Sequence, residues 1–179
     1  MSKFKFGAAS SNETHIYGAQ RPGYPSCRAI SDAEVDSWVK FMRQQGIKRV
    51  CCLLEKELSY YDSDLLAGYR RFFGEEALCA ASIEDFTLAD EQLLTETVLP
   101  FLADSIHRKE QVVVHCSGGI GRTGHVLAAW LVYGRGMSNE QAIKAVIDLG
   151  RNPYEAERGD AMGNSKLNSL LDVCRAASR

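Results

Sequence analysis

Two residues of this chain, Cys116 and Arg122, carry reactive side chains at a spacing that lets them act on one group. The segment between them is Ser117-Gly118-Gly119-Ile120-Gly121. Glycine permits backbone conformations in which successive N–H groups converge on one point, and such a nest binds anions. The planar guanidinium of arginine also suits a phosphate. A cysteine at the base of such a site is largely the nucleophilic thiolate near neutral pH. The stretch therefore predicts phosphoryl transfer through a phosphocysteine.

Two apolar segments flank this loop and must position it. Residues 111–114, Gln-Val-Val-Val, are typical of a short buried strand. Residues 126–133, from Val126 to Tyr133, are typical of a mostly buried helix. A loop that joins a strand to a helix places the helix N-terminus beside the bound anion, where the unpaired N–H groups add to the site.

The same loop also satisfies a second pattern, because Gly119 to Gly124 fits the dinucleotide-binding sequence G-x-G-x-x-G. A nucleotide fold requires a second parallel strand after the helix. Here residues 134–136 (Gly-Arg-Gly) are followed by Ser138-Asn139-Glu140-Gln141, which starts another helix. A Walker A loop is excluded because no Gly-Lys-Ser/Thr follows. The sequence after the loop therefore disfavours nucleotide binding.

The motif His115-Cys116-(five residues)-Arg122-Thr123-Gly124 resembles the signature of the cysteine-dependent protein tyrosine phosphatase superfamily, in particular its small dual-specificity-like (archaeal/bacterial-type) branch. The resemblance implies an α/β fold with a central, mainly parallel sheet of four to five strands flanked by helices. Rhodanese-like sulfur carriers also hold a cysteine in a strand-to-helix loop, but the Arg-Thr-Gly ending favours the phosphatase. Cys116 considered alone would be an inert buried thiol.

The resemblance also assigns roles to the loop residues. Cys116 is the nucleophile, Thr123 donates a hydrogen bond to its sulfur, and His115 supports the loop. The residues that bind the substrate phosphate are Ser117, Gly118, Gly119, Ile120, Gly121 and Arg122. We expect no metal and no other cofactor, because the N–H groups and the arginine neutralise the phosphate charge.

Phosphate-ester cleavage also needs a proton for the departing oxygen, supplied by a carboxylic acid on a loop that closes over the substrate. Superfamily members place such an aspartate upstream of the nucleophile, and Asp85 lies 31 residues before Cys116. Glu84 and Asp90 are the competing acids, although Asp90 is better explained as a helix cap. The family's acid loop often carries proline or glycine where residues 86–88 are Phe-Thr-Leu.

Several other residues follow predicted strands or start helices. We assign Arg21 and Tyr24, in a turn-rich loop, and residues 55–57 (Glu-Lys-Glu), after a buried strand, to solvent-facing loops, with the pocket rim as the alternative. We interpret His125 as a packed or half-exposed histidine and not a catalytic one.

Two further positions stay open. Arg151 follows a predicted helix and is a candidate for bordering the pocket. Asn168 stands where relatives carry a glutamine near the start of the last helix that helps to place water, and a plain helical residue is the alternative. We place the start of that helix near Asp160.

Length and composition set the remaining expectations. The 179 residues suit one domain, with residues 1–13 a flexible arm and residues 14–179 the catalytic domain. The net charge of −2 provides no field for nucleic acid or acidic membranes. Six cysteines without disulfide or zinc spacing, and the lack of a signal-like or membrane-spanning apolar run, favour a reduced, cytoplasmic protein. We expect a monomer.

The five residues of the loop between Cys116 and Arg122 carry no charge. Relatives that act on phosphoinositides tend to place lysines there, so this loop argues against lipid substrates. The sequence thus predicts a phosphatase of phosphotyrosine in proteins, with phosphoserine and phosphothreonine as further candidates, whose site also binds phosphate-mimicking oxyanions. Small phosphate esters, nucleotides or RNA 5′ ends are the alternative substrates. A catalytically silent phospho-binding module is the alternative of another class.

Overall fold

A five-stranded sheet forms the centre of the computed structural model, which describes residues 2–156 and 166–178. The strands are β1 (Gly7–Ala8), β2 (Ile16–Gln20), β3 (Ile47–Cys52), β4 (Leu78–Ala80) and β5 (Gln111–Cys116). Their order across the sheet is β1-β2-β5-β3-β4. All neighbouring pairs are parallel except β1 and β2, which are antiparallel. The predicted α/β class and mainly parallel sheet are confirmed.

Helices cover both faces of this sheet. They are α1 (Asp32–Gln44), α2 (Leu65–Phe73), α3 (Glu91–Leu93), α4 (Leu99–His107), α5 (Gly121–Arg135), α6 (Asn139–Asp148) and α7 (Lys166–Ala177). A π-helical turn, Leu94–Val98, joins α3 to α4. The apolar residues of α1 and α2 pack in one core with Val113, whereas α4 to α7 pack in a second core with Val112 and Val114. Successive side chains of β5 therefore serve opposite faces, as a central strand requires.

The register of β5 brings the functional loops together. Cys116 lies opposite Gln20 of β2, and His115 lies opposite Cys52 of β3. Because these strands are parallel, their carboxyl ends share one edge of the sheet, where ligands bind in α/β folds. The segments that begin at Arg21, Leu53, Ala81 and Ser117 therefore converge there.

Two local predictions about helix starts are confirmed. Ser31 and Glu34 form the capping box of α1, and Asp90 caps α3 by accepting from the N–H groups of Gln92 and Leu93. The predicted helix start near Asp160 lies outside the described residues, and the last helix is described from Lys166.

The N-terminal residues differ from the expected flexible arm. Gly7–Ala8 adds an antiparallel edge strand to β2. The buried Glu13 carboxylate accepts hydrogen bonds from Trp130 Nε1 and from the Arg135 guanidinium. Burial of a carboxylate requires such partners. These contacts attach residues up to 13 to the domain, a result that composition alone did not indicate.

No helix in the described part of the chain is long and apolar enough to cross a membrane.

Candidate active site

A cavity of about 140 Å³ opens at the carboxyl end of the central strands. Its wall includes the nucleophile candidate Cys116, the phosphate-binding candidates of the loop, and the acid candidate Asp85. The lining residues are Tyr24, Asp85, Phe86, Cys116, Ser117, Gly118, Ile120, Gly121, Arg122, Glu155 and Ala156. Most of the predicted site residues therefore meet in one place.

Three carbonyl groups of the phosphate loop (residues 116–122) are bound by donors that are not cavity-lining residues. The Arg21 N–H donates to the Ser117 carbonyl at 3.1 Å. Nδ1 of His115 lies 3.4 Å from the Cys116 carbonyl, and the Arg151 guanidinium donates to the Gly119 carbonyl at 2.6 Å. In a trans peptide the following N–H points away from the carbonyl. The N–H groups of Ser117, Gly118 and Ile120 are thereby turned away from these outer donors, as an anion-binding loop requires.

Glycine is required at one point of this loop. Gly119 has φ of +71°, a conformation that other residues rarely adopt. A Cβ atom at this position would lie 2.6 Å from the carbonyl oxygen of Ala19. The loop therefore packs directly on the end of β2, and α5 begins two residues later with its N-terminus at the cavity.

Arg122 is buried and held by two carboxylates. Its guanidinium forms an ion pair with the buried Glu57, donates to the Ile83 carbonyl at 3.0 Å, and lies 3.1 Å from Asp85 Oδ1. Burial alone would lower the pKa of Arg122, but the Glu57 carboxylate, together with Cys116 and Asp85, outweighs burial and raises the pKa. Burial likewise would raise the pKa of Glu57, and Arg122 lowers it. Both shifts favour the charged pair.

Asp85 is the only one of the three acid candidates that lines the described cavity. Its side chain is about half exposed, and its carboxylate accepts from the Phe86 N–H at 3.1 Å. Glu84 instead pairs with Lys56 on the surface at 3.3 Å, and Asp90 caps α3. Of the three candidates, Asp85 is thus the one placed to reach a phosphate in the cavity, and its role as the acid stays a prediction.

His115 lies in a buried aromatic cluster behind the nucleophile. Its Nε2 is 3.1 Å from the Tyr69 hydroxyl, and the Trp38 ring meets it edge-on at 5.2 Å between centroids. Burial lowers the pKa of His115 to about 3, so the ring is neutral. A neutral ring that donates from Nδ1 to the Cys116 carbonyl can accept a hydrogen bond from the Tyr69 hydroxyl at Nε2.

Thr123 does not make the predicted hydrogen bond. Its hydroxyl is buried and has no hydrogen-bond partner among the described residues, so it does not donate to the Cys116 sulfur. Thr123 is within the first turn of α5, where the helix backbone fixes its position. The hydrogen bond from Thr123 to the departing sulfur therefore stays a prediction that the described contacts do not include.

A family model for a "Polymorphic toxin system, DSP-PTPase phosphatase" matches residues 26–137, more than half of the chain. The chain belongs to this phosphatase family. The match includes the phosphate loop and Asp85, and it confirms the resemblance to the cysteine-dependent tyrosine and dual-specificity phosphatase superfamily.

The phosphatase is also similar to a curated Arabidopsis thaliana protein, "Phosphatidylinositol 3,4,5-trisphosphate 3-phosphatase and protein-tyrosine-phosphatase PTEN1". They are 37% identical over 68 residues, which is 35% of this chain and 16% of the relative. The chain thus matches only a small part of that relative.

Two solved structures show the same fold. Tk-PTP in its active form aligns with a TM-score of 0.64 and 22% identity over 92% of this chain and 93% of that one. PTPMT1 in complex with PI(5)P aligns with a TM-score of 0.68 and 13% identity over 97% of this chain and 99% of that one. At these identities the likeness concerns the fold alone.

Two residues of the phosphatase that we assigned to solvent-facing loops are buried beside the phosphate loop. Arg21 donates from Nε to the Ser117 hydroxyl at 3.2 Å, and Glu57 pairs with Arg122. Both follow the carboxyl ends of strands that flank β5. Their position directly after predicted buried strands was the sequence feature that indicated the pocket. Tyr24, from the same loop as Arg21, lines the cavity.

The remaining candidates lie outside the cavity wall. Arg151 is buried beneath the phosphate loop and not at the rim. Asn168 lies in α7, where its carbonyl accepts from the Asn139 side chain at 3.3 Å. His125 is buried, as predicted, and its Nε2 accepts from the Ala89 N–H at 3.0 Å. Burial lowers the pKa of His125 to about 4.

No group of three or more His, Cys, Asp or Glu residues in the described part of the phosphatase is arranged to hold a metal ion.

Proposed function

We propose that this phosphatase hydrolyses phosphotyrosine in proteins through a phosphocysteine intermediate, with phosphoserine and phosphothreonine as slower substrates. The observation that carries the proposal is the composition of the cavity. Cys116, Arg122 and Asp85 meet there, and Arg122 is its single cationic lining residue in the described structure. Such a site suits one phosphate group, a nucleophile below it and an acid beside it.

In the first step the Cys116 thiolate attacks phosphorus and forms an S–P bond while the P–O bond to the substrate breaks. The loop N–H groups and the Arg122 guanidinium hold the three equatorial oxygens, whose charge is spread in the transition state. Asp85, at 3.1 Å from Arg122, gives its proton to the leaving oxygen. The products are the free hydroxyl and a phosphocysteine.

In the second step water attacks the phosphocysteine. Asp85, now ionised, takes a proton from that water, and the S–P bond breaks to release inorganic phosphate and the thiolate. His115 takes no proton in either step, because burial lowers its pKa to about 3, and its neutral ring holds the Cys116 carbonyl. The same carboxylate thus serves both half-reactions.

The charges at the cavity favour a substrate with one phosphate. Two carboxylates, Asp85 and Glu155, line it beside the single Arg122. While Asp85 carries the proton for the leaving group, a second phosphate on the substrate would still meet the Glu155 carboxylate, and no described lining residue is a lysine that could compensate. Such like-charge contacts select against a ligand. This arrangement supports a phosphorylated side chain over a polyphosphorylated lipid headgroup or nucleotide.

Two aromatic side chains at the cavity support an aromatic leaving group. Tyr24 and Phe86 are 40% and 41% exposed although both line the cavity. Phe86 also adopts φ of +62°, which costs a residue with a Cβ roughly 1–2 kcal/mol. Strain of this kind concentrates at functional sites, and here it places an aromatic ring beside the acid.

The test is hydrolysis of p-nitrophenyl phosphate in the presence of EDTA, followed by a panel of phosphotyrosine peptides, phosphoserine peptides and phosphatidylinositol phosphates. We expect wild-type turnover without metal, none with Cys116→Ser, and highest kcat/KM on phosphotyrosine. An inert wild type that still binds phosphopeptides would make the chain a binding module. Activity in Cys116→Ser would overturn the mechanism, and preference for lipid would overturn the substrate assignment.

A further inference from the structure

Arg151 is a buried cation without an acidic partner in the part of the chain that the structure describes. It follows α6, its side chain is almost entirely buried, and none of the described carboxylates forms a salt bridge with it. Burial lowers the pKa of Arg151 to about 10, so the guanidinium stays charged at neutral pH. A buried charge is costly unless hydrogen bonds compensate it. The hydrogen bonds of Arg151 must therefore offset the cost of burying its charge, and their partners indicate what the residue does.

Those hydrogen bonds all go to backbone carbonyls from three segments. Nη1 donates to Gly119 of the phosphate loop at 2.6 Å, and Nη2 donates to Gly18 of β2 at 2.8 Å. Nη2 also lies 3.3 Å from the carbonyl of Lys5 and 3.2 Å from that of Gly7. One guanidinium thus joins the N-terminal segment (residues 3–8), β2 and the loop that holds the phosphate.

The bond to Gly119 fixes the orientation of one peptide group in the phosphate loop. Because the peptide is planar and trans, a Gly119 carbonyl that faces Arg151 turns the Ile120 N–H to the opposite side. Ile120 lines the cavity on that side. If this peptide rotated, a carbonyl oxygen would replace an N–H at the anion site and would repel a phosphate.

The N-terminal segment is anchored at a distance from the loop. Phe6 stacks on Tyr17 with 4.9 Å between ring centroids, and Phe4 meets Phe41 of α1 edge-on at 5.4 Å. These aromatic contacts hold the segment whose Lys5 and Gly7 carbonyls accept hydrogen bonds from the Arg151 guanidinium. None of the four aromatic residues lines the cavity in the described structure.

We propose that Arg151 is a positioning residue that couples the N-terminal segment to the phosphate loop, so that the segment, when anchored, holds the Ile120 N–H in the anion-binding orientation. The proposal rests on the proposed function for the identity of the anion site. It extends that function to residues of the chain that take no part in the chemistry.

The experiment measures tungstate binding by titration calorimetry beside kcat and KM on p-nitrophenyl phosphate. We expect Arg151→Gln to weaken tungstate binding about tenfold or more, because a charge-assisted hydrogen bond that orients the loop is lost. Arg151→Lys, which keeps the charge and some donors, should recover part of this affinity. The matched control is Arg49→Gln, another buried arginine, which pairs with Asp104 away from the cavity. It should lower the melting temperature but leave tungstate affinity unchanged.

Coupling is tested by a double-mutant cycle with Phe4→Ala/Phe6→Ala. We expect this pair to weaken tungstate binding several-fold in the wild-type background and to have no further effect in Arg151→Gln, because residues in one network are not additive. Additive effects, or unchanged tungstate affinity in a folded Arg151→Gln, would overturn the proposal. Lack of turnover in the wild type would instead contradict the proposed function, since tungstate binding needs no turnover.

Discussion

Glu57 and Arg122 form a buried ion pair that joins the segment after β3 to the phosphate loop. Nη2 of Arg122, which pairs with Glu57, also lies 3.1 Å from Asp85 Oδ1 at the cavity. The buried carboxylate thus holds the same guanidinium nitrogen that contacts the candidate acid. Because a guanidinium binds phosphate through a planar fork, its orientation decides whether it can hold two phosphate oxygens.

We therefore expect Glu57→Gln to lower kcat on p-nitrophenyl phosphate by about tenfold to a hundredfold, since misplacing a positioning group has effects of that size. The variant should also lose about 3 kcal/mol of stability, because it leaves a buried charge without its partner. Chemical denaturation beside steady-state kinetics checks both effects. The neighbouring exposed Glu55→Gln is the matched control and should change neither quantity.

Asp85→Asn should affect substrates according to their leaving groups. On an alkyl phosphate we expect a loss of about 10²- to 10⁴-fold, the contribution of general acid catalysis. On p-nitrophenyl phosphate, whose leaving group needs less protonation, the loss should be smaller. Glu84→Gln, whose carboxylate pairs with Lys56 on the surface, is the control. If Glu84→Gln loses activity on the alkyl phosphate while Asp85→Asn keeps it, the acid is misassigned.

The sequence predicted those features whose residues are close neighbours along the chain. The phosphate loop could be recognised because Cys116, its glycines and Arg122 are neighbours in the chain, and Asp90 could be recognised as a cap because capping is local. Glu57 and Arg21 could not be assigned in this way. Their burial follows from the strand order that places β2 and β3 on either side of β5, which no short segment encodes.

Arg151 and Thr123 mark two other limits of sequence reasoning. Arg151 contacts backbone carbonyls, which every residue has, so its partners leave no trace in side-chain identity. Thr123 matches the family's motif, but the motif does not show that its buried hydroxyl has no hydrogen-bond partner among the described residues. Composition likewise gave no sign that Glu13 would be buried against Trp130.

Thr123→Val tests the buried hydroxyl. The hydroxyl has no partner among the described residues, and valine has nearly the same shape. Removing an unsatisfied buried polar group should leave the protein as stable as before or stabilise it by about 1 kcal/mol. Urea denaturation measures this. A decrease of more than about 1 kcal/mol in the free energy of unfolding would show that the hydroxyl has a hydrogen-bond partner in the resting enzyme. Thr123→Ser, which keeps the hydroxyl but loses a methyl group, is the comparison.

Phe86→Ala tests the aromatic wall beside Asp85. We expect KM for p-nitrophenyl phosphate and phosphotyrosine peptides to rise about three- to tenfold, since an aromatic contact contributes about 0.5–1.5 kcal/mol. KM for an alkyl phosphate should stay the same. Leu149→Ala, which alters another exposed apolar residue that is not part of the cavity wall, is the control. An equal rise for aryl and alkyl substrates would assign Phe86 to loop structure and not to substrate selection.

His115 and His125 together predict how stability depends on pH. Burial lowers the pKa of His115 to about 3 and that of His125 to about 4, from an ordinary value of 6.5. Below pH 6.5 the unfolded chain therefore binds protons at these two positions that the folded protein does not bind. Stability is fully present above pH 6.5 and is lost as pH falls toward 4, by up to about 1.4 kcal/mol per pH unit for each histidine.

Urea denaturation between pH 7 and pH 4.5 measures this slope. His125→Gln should flatten it by about half, because one of the two buried histidines no longer titrates in the unfolded chain. A wild-type stability that stays constant from pH 7 to pH 5 would mean that both buried rings accept a proton in the folded protein. In that case the protonated His115 ring would still donate from Nδ1 to the Cys116 carbonyl. Its Nε2 would no longer accept from the Tyr69 hydroxyl, so the Tyr69 contact would change first.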